Sequence, residues 1–216
     1  MKIKIALFLF VAFFMSCSGG EKVYYIVIET EFGNMKAELY NSTPLHRDNI
    51  IKLAKDDYYD DLLFHRVMNG FMIQGGDPVS KTAAPGQMLG NGGPSYTIPA
   101  EIGAPHFKGA LAAARTPDNV NPQKESSGSQ FYVVHGRVQT RSMLESIGRQ
   151  KGIQYSEAQI AKYESIGGTP MLDMDYTVFG ELVEGMEVID KIAAMPVDRN
   201  NRPNKDIKMK VRVTTK

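Results

Sequence analysis

Short runs of β-branched and aromatic residues, cut by glycine and proline, recur along this chain with no regular helix between them, and this limits the folds open to it. Val23 to Thr30 is almost continuous Val, Ile and Tyr, and Gly33-Asn34 marks a turn before the alternating Met35, Ala37 and Leu39. Leu62–Met68 and Phe71–Gln74 flank Asn69-Gly70, a strong hairpin signal. Further strand-like runs are Leu111–Ala114, Gln130–Val134 and Tyr176–Val183, and Ile207, Met209, Val211 and Val213 alternate near the end. Only two helical stripes interrupt them. One follows Thr43-Pro44, a capping hydroxyl and a first-turn proline, and carries Ile50, Leu53 and Ala54; the other carries Met186, Ile189, Ile192 and Ala193 and stops before Pro196. Many strands without βαβ alternation imply a mainly β chain, a closed antiparallel barrel capped by two helices. Residues 136–170 break the pattern: Ser156 with Gln159 forms a capping box and Gly167-Gly168 a stop, so a helical insertion is expected, projecting from the barrel or packing beside its mouth. Residues 75–95 and 116–128 read as loops.

A length of 216 residues suits one well-buried domain. Lys2 and Lys4 account for two of 25 basic residues against 24 acidic ones, so the rest of the chain has a net charge of −1, which gives no ground for nucleic acid as a partner. After those lysines, Ile5–Met15 is apolar throughout, too short to span a bilayer as a helix, and Ser16 precedes Cys17. Cys17 is the only cysteine, so it has no internal disulfide partner. Phe14-Met15-Ser16-Cys17 resembles the cleavage site of bacterial lipoproteins, whose cysteine becomes the lipidated N-terminus. That resemblance implies a signal peptide over 1–16 and a lipidated tether over 17–22, ahead of the domain over 23–214. It also implies a location in the bacterial cell envelope, anchored to the outer membrane and facing the periplasm or the exterior, with plain secretion as the second reading.

The densest chemistry lies in Phe64-His65-Arg66-Val67-Met68-Asn69-Gly70-Phe71-Met72-Ile73-Gln74-Gly75-Gly76-Asp77. On two strands of a hairpin, the two-residue period puts Phe64 and Arg66 on one side and lets Arg66, Met72 and Gln74 share a face. By itself the stretch also fits a plain barrel hairpin with an exposed arginine and a structural glutamine. The number of chemically distinct residues beside three glycines favours a site.

This stretch resembles the signature hairpin of the cyclophilins. Leu111-Ala112-Ala113-Ala114-Arg115, Gly128-Ser129-Gln130-Phe131-Tyr132 and Leu172-Asp173-Met174-Asp175-Tyr176-Thr177-Val178-Phe179-Gly180 match further family elements in order. The resemblance implies a cyclophilin-like barrel over nearly all of 23–214 and peptidyl-prolyl cis/trans isomerase activity on proline-containing polypeptides. It implies no cofactor and no metal, and a monomer is expected. It carries Arg66 and Gln74 over as the catalytic pair. The substrate-binding set it implies is His65, Phe71, Met72, Arg115, Gln130, Phe131, Tyr132, Met171, Leu172 and Tyr176, with Arg115 offering backbone more than side chain and Phe131 and Phe179 as neighbours in the core.

The chemistry agrees with that residue set. Cis and trans amides are separated by about 18–20 kcal/mol because the C–N bond is partly double. Rotation breaks no bond, so the protein needs no nucleophile; it must bind the twisted amide better than either planar form. In that state the prolyl nitrogen regains a lone pair, to which a fixed guanidinium can donate, a task that suits arginine over lysine.

Three residues depart from the family pattern: Tyr132 where phenylalanine floors the pocket, Met171 where tryptophan is frequent, and Met174 in place of glycine. Altered sequence preference and weak cyclosporin affinity are expected. The four histidines lack ligand spacing, and the Asp56-Asp57 and Asp60-Asp61 pairs read as a solvated helix end. A second reading of a different class is a tethered chaperone or docking module that binds Pro-containing segments with little turnover, its insertion recruiting the partner.

Overall fold

The computed structural model describes residues 22–214; the signal-like segment and Cys17 lie outside them. Ten strands and four helices follow in order: β1 (Tyr24–Thr30), β2 (Gly33–Leu39), α1 (Pro44–Lys55), β3 (Leu62–Met68), β4 (Met72–Gly75), β5 (Thr97–Ile98), β6 (Ala110–Ala113), β7 (Ser126–Ser127), β8 (Phe131–Val134), α2 (Arg141–Lys151), α3 (Glu157–Ser165), β9 (Val178–Glu184), α4 (Met186–Ala193) and β10 (Lys208–Thr214). Eight strands close an antiparallel barrel in the order β1-β10-β3-β4-β8-β6-β9-β2, while β5 and β7 pair separately. The small sheet was not legible, since two residues show no period.

Alternation fills the barrel. Ile26, Ile28, Met35, Ala37, Val133, Met209 and Val211 point inward, and α1 and α4 lay Ile50, Leu53, Val188, Ile189 and Ile192 into the same cluster. The expected Thr43 cap is corrected: its hydroxyl donates to the Tyr40 carbonyl instead. The first turn of α1 is capped from a distant loop by the Glu101 carboxylate, which accepts the N–H groups of Leu45 (3.1 Å) and His46 (3.0 Å).

One irregularity decides which side chains face outward. In the β3–β4 pair Phe64 opposes Gly75 and Arg66 opposes Gln74, so His65 is an extra residue on β3. Such a bulge places two residues against one and reverses the parity of the strand. The expectation that Phe64 and Arg66 share a side is therefore corrected: Phe64 packs inside the barrel and Arg66 faces outward.

The insertion is helical, as α2 and α3. Ser156 and Gln159 form both capping-box bonds. The pair packs beside the barrel through Leu144, Ile160 and Tyr163, against Phe107 and Tyr155. Asp60 is more than a solvated carboxylate, because it accepts two hydrogen bonds from Arg212, at 2.6 and 2.8 Å.

Candidate active site

Strand register sets one row of residues across the outer face of four strands: Arg66 on β3 opposes Gln74 on β4, Gln74 opposes Tyr132 on β8, and Tyr132 opposes Ala112 on β6. Met72 lies beside this row, opposite Val134. Met72, Tyr132, Ala112, Val134 and Val178 form an apolar cluster outside the barrel core, joined by Phe71, Leu172 and Tyr176. Above it lies a groove of about 420 Å³ lined by His65, Arg66, Phe71, Met72, Gln74, Arg115, Tyr132, Leu172 and Tyr176.

A chain of amides holds the cation. Arg66 Nη1 donates to Gln74 Oε1 (3.2 Å), Gln74 Nε2 donates to Gln130 Oε1 (3.1 Å), and Gln130 Nε2 donates to the carbonyls of Gly90 (2.9 Å) and Gly92 (2.6 Å). A guanidinium has only donors, so it fixes which end of Gln74 faces it, and that choice propagates to Gln130. Gln130 itself stands behind the groove, toward a neighbouring hollow of about 310 Å³. The loop it grips is also tied down by Asp77, whose carboxylate accepts the N–H groups of Gly90 (2.6 Å) and Gly92 (3.3 Å).

The opposite wall is aromatic. Tyr132 is buried, and its hydroxyl lies 2.9 Å from His106 Nε2, so the polar tip that replaces a phenylalanine edge has a partner. Burial holds the Tyr132 phenol far above its ordinary range, with Tyr176 and Asp173 adding to the effect. Tyr176 meets Tyr132 edge-on at 6.0 Å between centroids, and the Arg115 guanidinium lies 4.5 Å over the Tyr176 ring. Arg115 Nε donates to the Asp175 carbonyl, so this side chain braces the wall. Met174 sits at φ +63° where a glycine would be unstrained. Its turn is secured by Lys151, which donates to the carbonyls of Met171 and Asp173, and by Lys124, which donates to the Met174 carbonyl.

Two expected contacts are corrected. Phe131 neighbours Tyr132 on β8 and so points the other way, into the core, where it meets Tyr59 and Phe64 edge-on at 5.6 and 6.4 Å. Met171 lies in a 3-10 turn over Pro170–Leu172; its side chain is exposed and takes no part in lining the groove, whereas Leu172 does. Sequence reasoning missed the far rim, Gln87–Asn91 with Asp198, Asn200 and Arg202. The guanidinium of Arg202 clamps that rim by donating to the carbonyls of Ala84 (2.9 Å) and Gln87 (3.0 Å). These contacts join loops more than a hundred residues apart and leave no local signal.

His65, the bulged residue, is only 4% exposed. Burial pushes its imidazole down to about 4, although Asp77 pulls the other way. The unfolded chain takes up a proton near pH 6.5 that the folded one refuses. The full stability is therefore present above pH 6.5 and is lost as the pH falls toward 4. Between pH 7 and pH 5 this group should lower the unfolding free energy by about 2 kcal/mol. Urea unfolding of wild type and His65→Gln checks this. His46 and His135, also shifted down by burial, add slope of the same sign in both proteins, so the variant should lose only the His65 share.

Comparison with known proteins agrees with this layout. The family model for cyclophilin type peptidyl-prolyl cis-trans isomerase/CLD matches residues 25–213. Proteins called putative peptidyl-prolyl cis-trans isomerase from Staphylococcus aureus (strain USA300) and Staphylococcus haemolyticus are 33% and 36% identical to this chain. The match covers 84% of it in each case, and 87% and 86% of the relatives. The crystal structure of a Cryptosporidium parvum cyclophilin type peptidyl-prolyl cis-trans isomerase shares the fold, with a TM-score of 0.66 at 24% identity over 90% of this chain and 99% of that one. By its family match, its relatives and its barrel, this chain belongs to the cyclophilin-type peptidyl-prolyl cis-trans isomerases.

Proposed function

We propose that the groove binds X-Pro segments of proteins in the cell envelope and rotates their prolyl bond through the twisted amide, with no covalent intermediate. The observation that carries this reading is a guanidinium held by Gln74 in a groove that also presents the apolar side chains of Phe71, Met72, Tyr132 and Leu172. A proline ring seated on Phe71, Met72, Tyr132 and Leu172 brings its nitrogen toward Arg66. The guanidinium then donates to the lone pair that exists only in the twisted state, so binding energy is spent on the barrier rather than on either ground state. Gln74 orients the cation and holds the peptide backbone. Exchange between cis and trans forms of an Ala-Pro peptide, measured by NMR for wild type and Arg66→Ala, tests the reading.

The anchoring reading rests on Lys2, Lys4, the apolar run over 5–15 and Ser16-Cys17. Cys17 becomes the lipidated first residue of the mature protein, and residues 18–22 lead from the lipid to β1. Cys17→Ser should abolish incorporation of labelled palmitate in cells and move the protein from the membrane to the soluble fraction. Wild-type protein that takes up no label would overturn the anchor and leave the isomerase reading intact.

A further inference from the structure

A file of buried polar groups runs from the insertion to the floor of the groove, and the isomerase chemistry makes no use of it. The hydroxyls of Tyr163, in α3, and Tyr155, between α2 and α3, donate to Asp173 Oδ2 at 2.7 and 2.9 Å. Asp173 Oδ1 accepts the backbone N–H of His106 at 2.8 Å and lies 2.9 Å from His106 Nδ1. His106 Nε2 lies 2.9 Å from the Tyr132 hydroxyl, with the two rings stacked. The His106 side chain is fully buried, and Asp173 nearly so.

With the His106 ring neutral, the Asp173 carboxylate sets the direction of each bond along the file. Two phenols and a backbone N–H already point at the Asp173 carboxylate, which is an acceptor throughout, so in a neutral His106 ring Nδ1 carries the proton and donates it. Nε2 is then left with a lone pair, and the Tyr132 O–H donates to it. The one proton of the phenol is thus turned away from the groove, and the ring presents only its carbon face to a ligand. The same insertion holds the pocket loop by a second contact, since Lys151 of α2 donates to the carbonyls of Met171 and Asp173 and to Asp175 Oδ2.

We propose that the 136–170 insertion is a positioning element of the proline pocket: through Tyr155, Tyr163, Asp173 and His106 it sets the tilt of the Tyr132 ring and keeps its hydroxyl proton away from the substrate. The inference rests on the isomerase reading of the groove. It makes His106 and Asp173 positioning residues, because neither touches the reacting amide.

A thermodynamic cycle on the full chain tests it. The pair Tyr155→Phe/Tyr163→Phe is measured with an Ala-Pro peptide, in the wild-type background and in the Tyr132→Phe background. In the wild-type background KM should rise about fivefold, the effect of roughly one net hydrogen bond, with kcat within about twofold. In the Tyr132→Phe background the same pair should move KM by less than about 1.5-fold, since no hydroxyl is left to position. Equal KM changes in both backgrounds, or a fall in kcat at constant KM, would overturn the proposal. If the pair does not fold, as judged by circular dichroism, Tyr163→Phe alone carries the cycle. A parallel arm does not depend on turnover: ring-nitrogen NMR signals of His106 and the aromatic signals of Tyr132 should move in the Tyr155→Phe/Tyr163→Phe protein. A wild type without turnover would defeat the isomerase reading, and this arm would then decide the relay, with shifted signals supporting it and unshifted ones refuting it.

Discussion

Arg66→Ala should lower kcat/KM for an Ala-Pro peptide by on the order of a hundredfold or more while leaving the melting temperature within a few degrees of wild type. Arg66 is half-buried, faces outward across the bulge and belongs to no interior cluster, so its loss leaves the barrel packing in place. What is lost is the cation bonded to Gln74, and with it the donor that in the proposed mechanism meets the lone pair of the twisted nitrogen. The loss should appear in kcat more than in KM, because the donor is required at the barrier rather than in either planar form. Arg66→Lys should recover little, since an ammonium on a flexible stem cannot keep the planar contact to Gln74 while reaching the substrate. Turnover unchanged in Arg66→Ala would remove the mechanism.

The second large effect is expected on stability. Phe131 adjoins Tyr132 in the chain, yet Phe131→Ala should behave as a core truncation and not as a pocket change. Phe131 is 1% exposed and wedged edge-on between Tyr59 and Phe64, rigid partners that cannot close the space it would leave. A loss of about 3–5 kcal/mol is expected, seen as a fall of roughly 10 °C in melting temperature. Well below that temperature, kcat/KM per folded molecule should stay within a few-fold of wild type. A large rise in KM with normal stability would return Phe131 to the binding surface.

The two predictions differ because neighbouring residues of a strand serve opposite faces, and this is also what made the fold readable. Alternation over two residues is a local property, so the inward Met209 and Val211 and the outward Met72 and Gln74 were legible before any contact was known. The capping box at Ser156 was legible for the same reason. What escaped depended on distant partners. Nothing around Thr43 signals that Glu101, 55 residues beyond His46, caps α1. The bulge at His65 reverses parity with no glycine at that position to announce it. The hydroxyl of Tyr132 finds His106 across 26 residues, and the Arg202 clamp reaches back 118 to Ala84. Arg66, Gln74 and the apolar hollow were visible through the family likeness of the hairpin, whereas the far rim and the tyrosine relay exist only once the chain has closed.

The closure of the barrel carries a consequence for how a client is read. Among the described residues each of the eight barrel strands has a paired neighbour on either side, β10 meeting β3 through Lys208 and Met209, so the barrel presents no edge strand for a peptide to extend along its whole length. Recognition has to come from above, through side chains of the outer face and the carbonyls and amides of the rim loops. A grip of that kind spans a few residues around one ring and leaves the rest of the client unconstrained. That suits a catalyst that turns one prolyl bond and then releases its client.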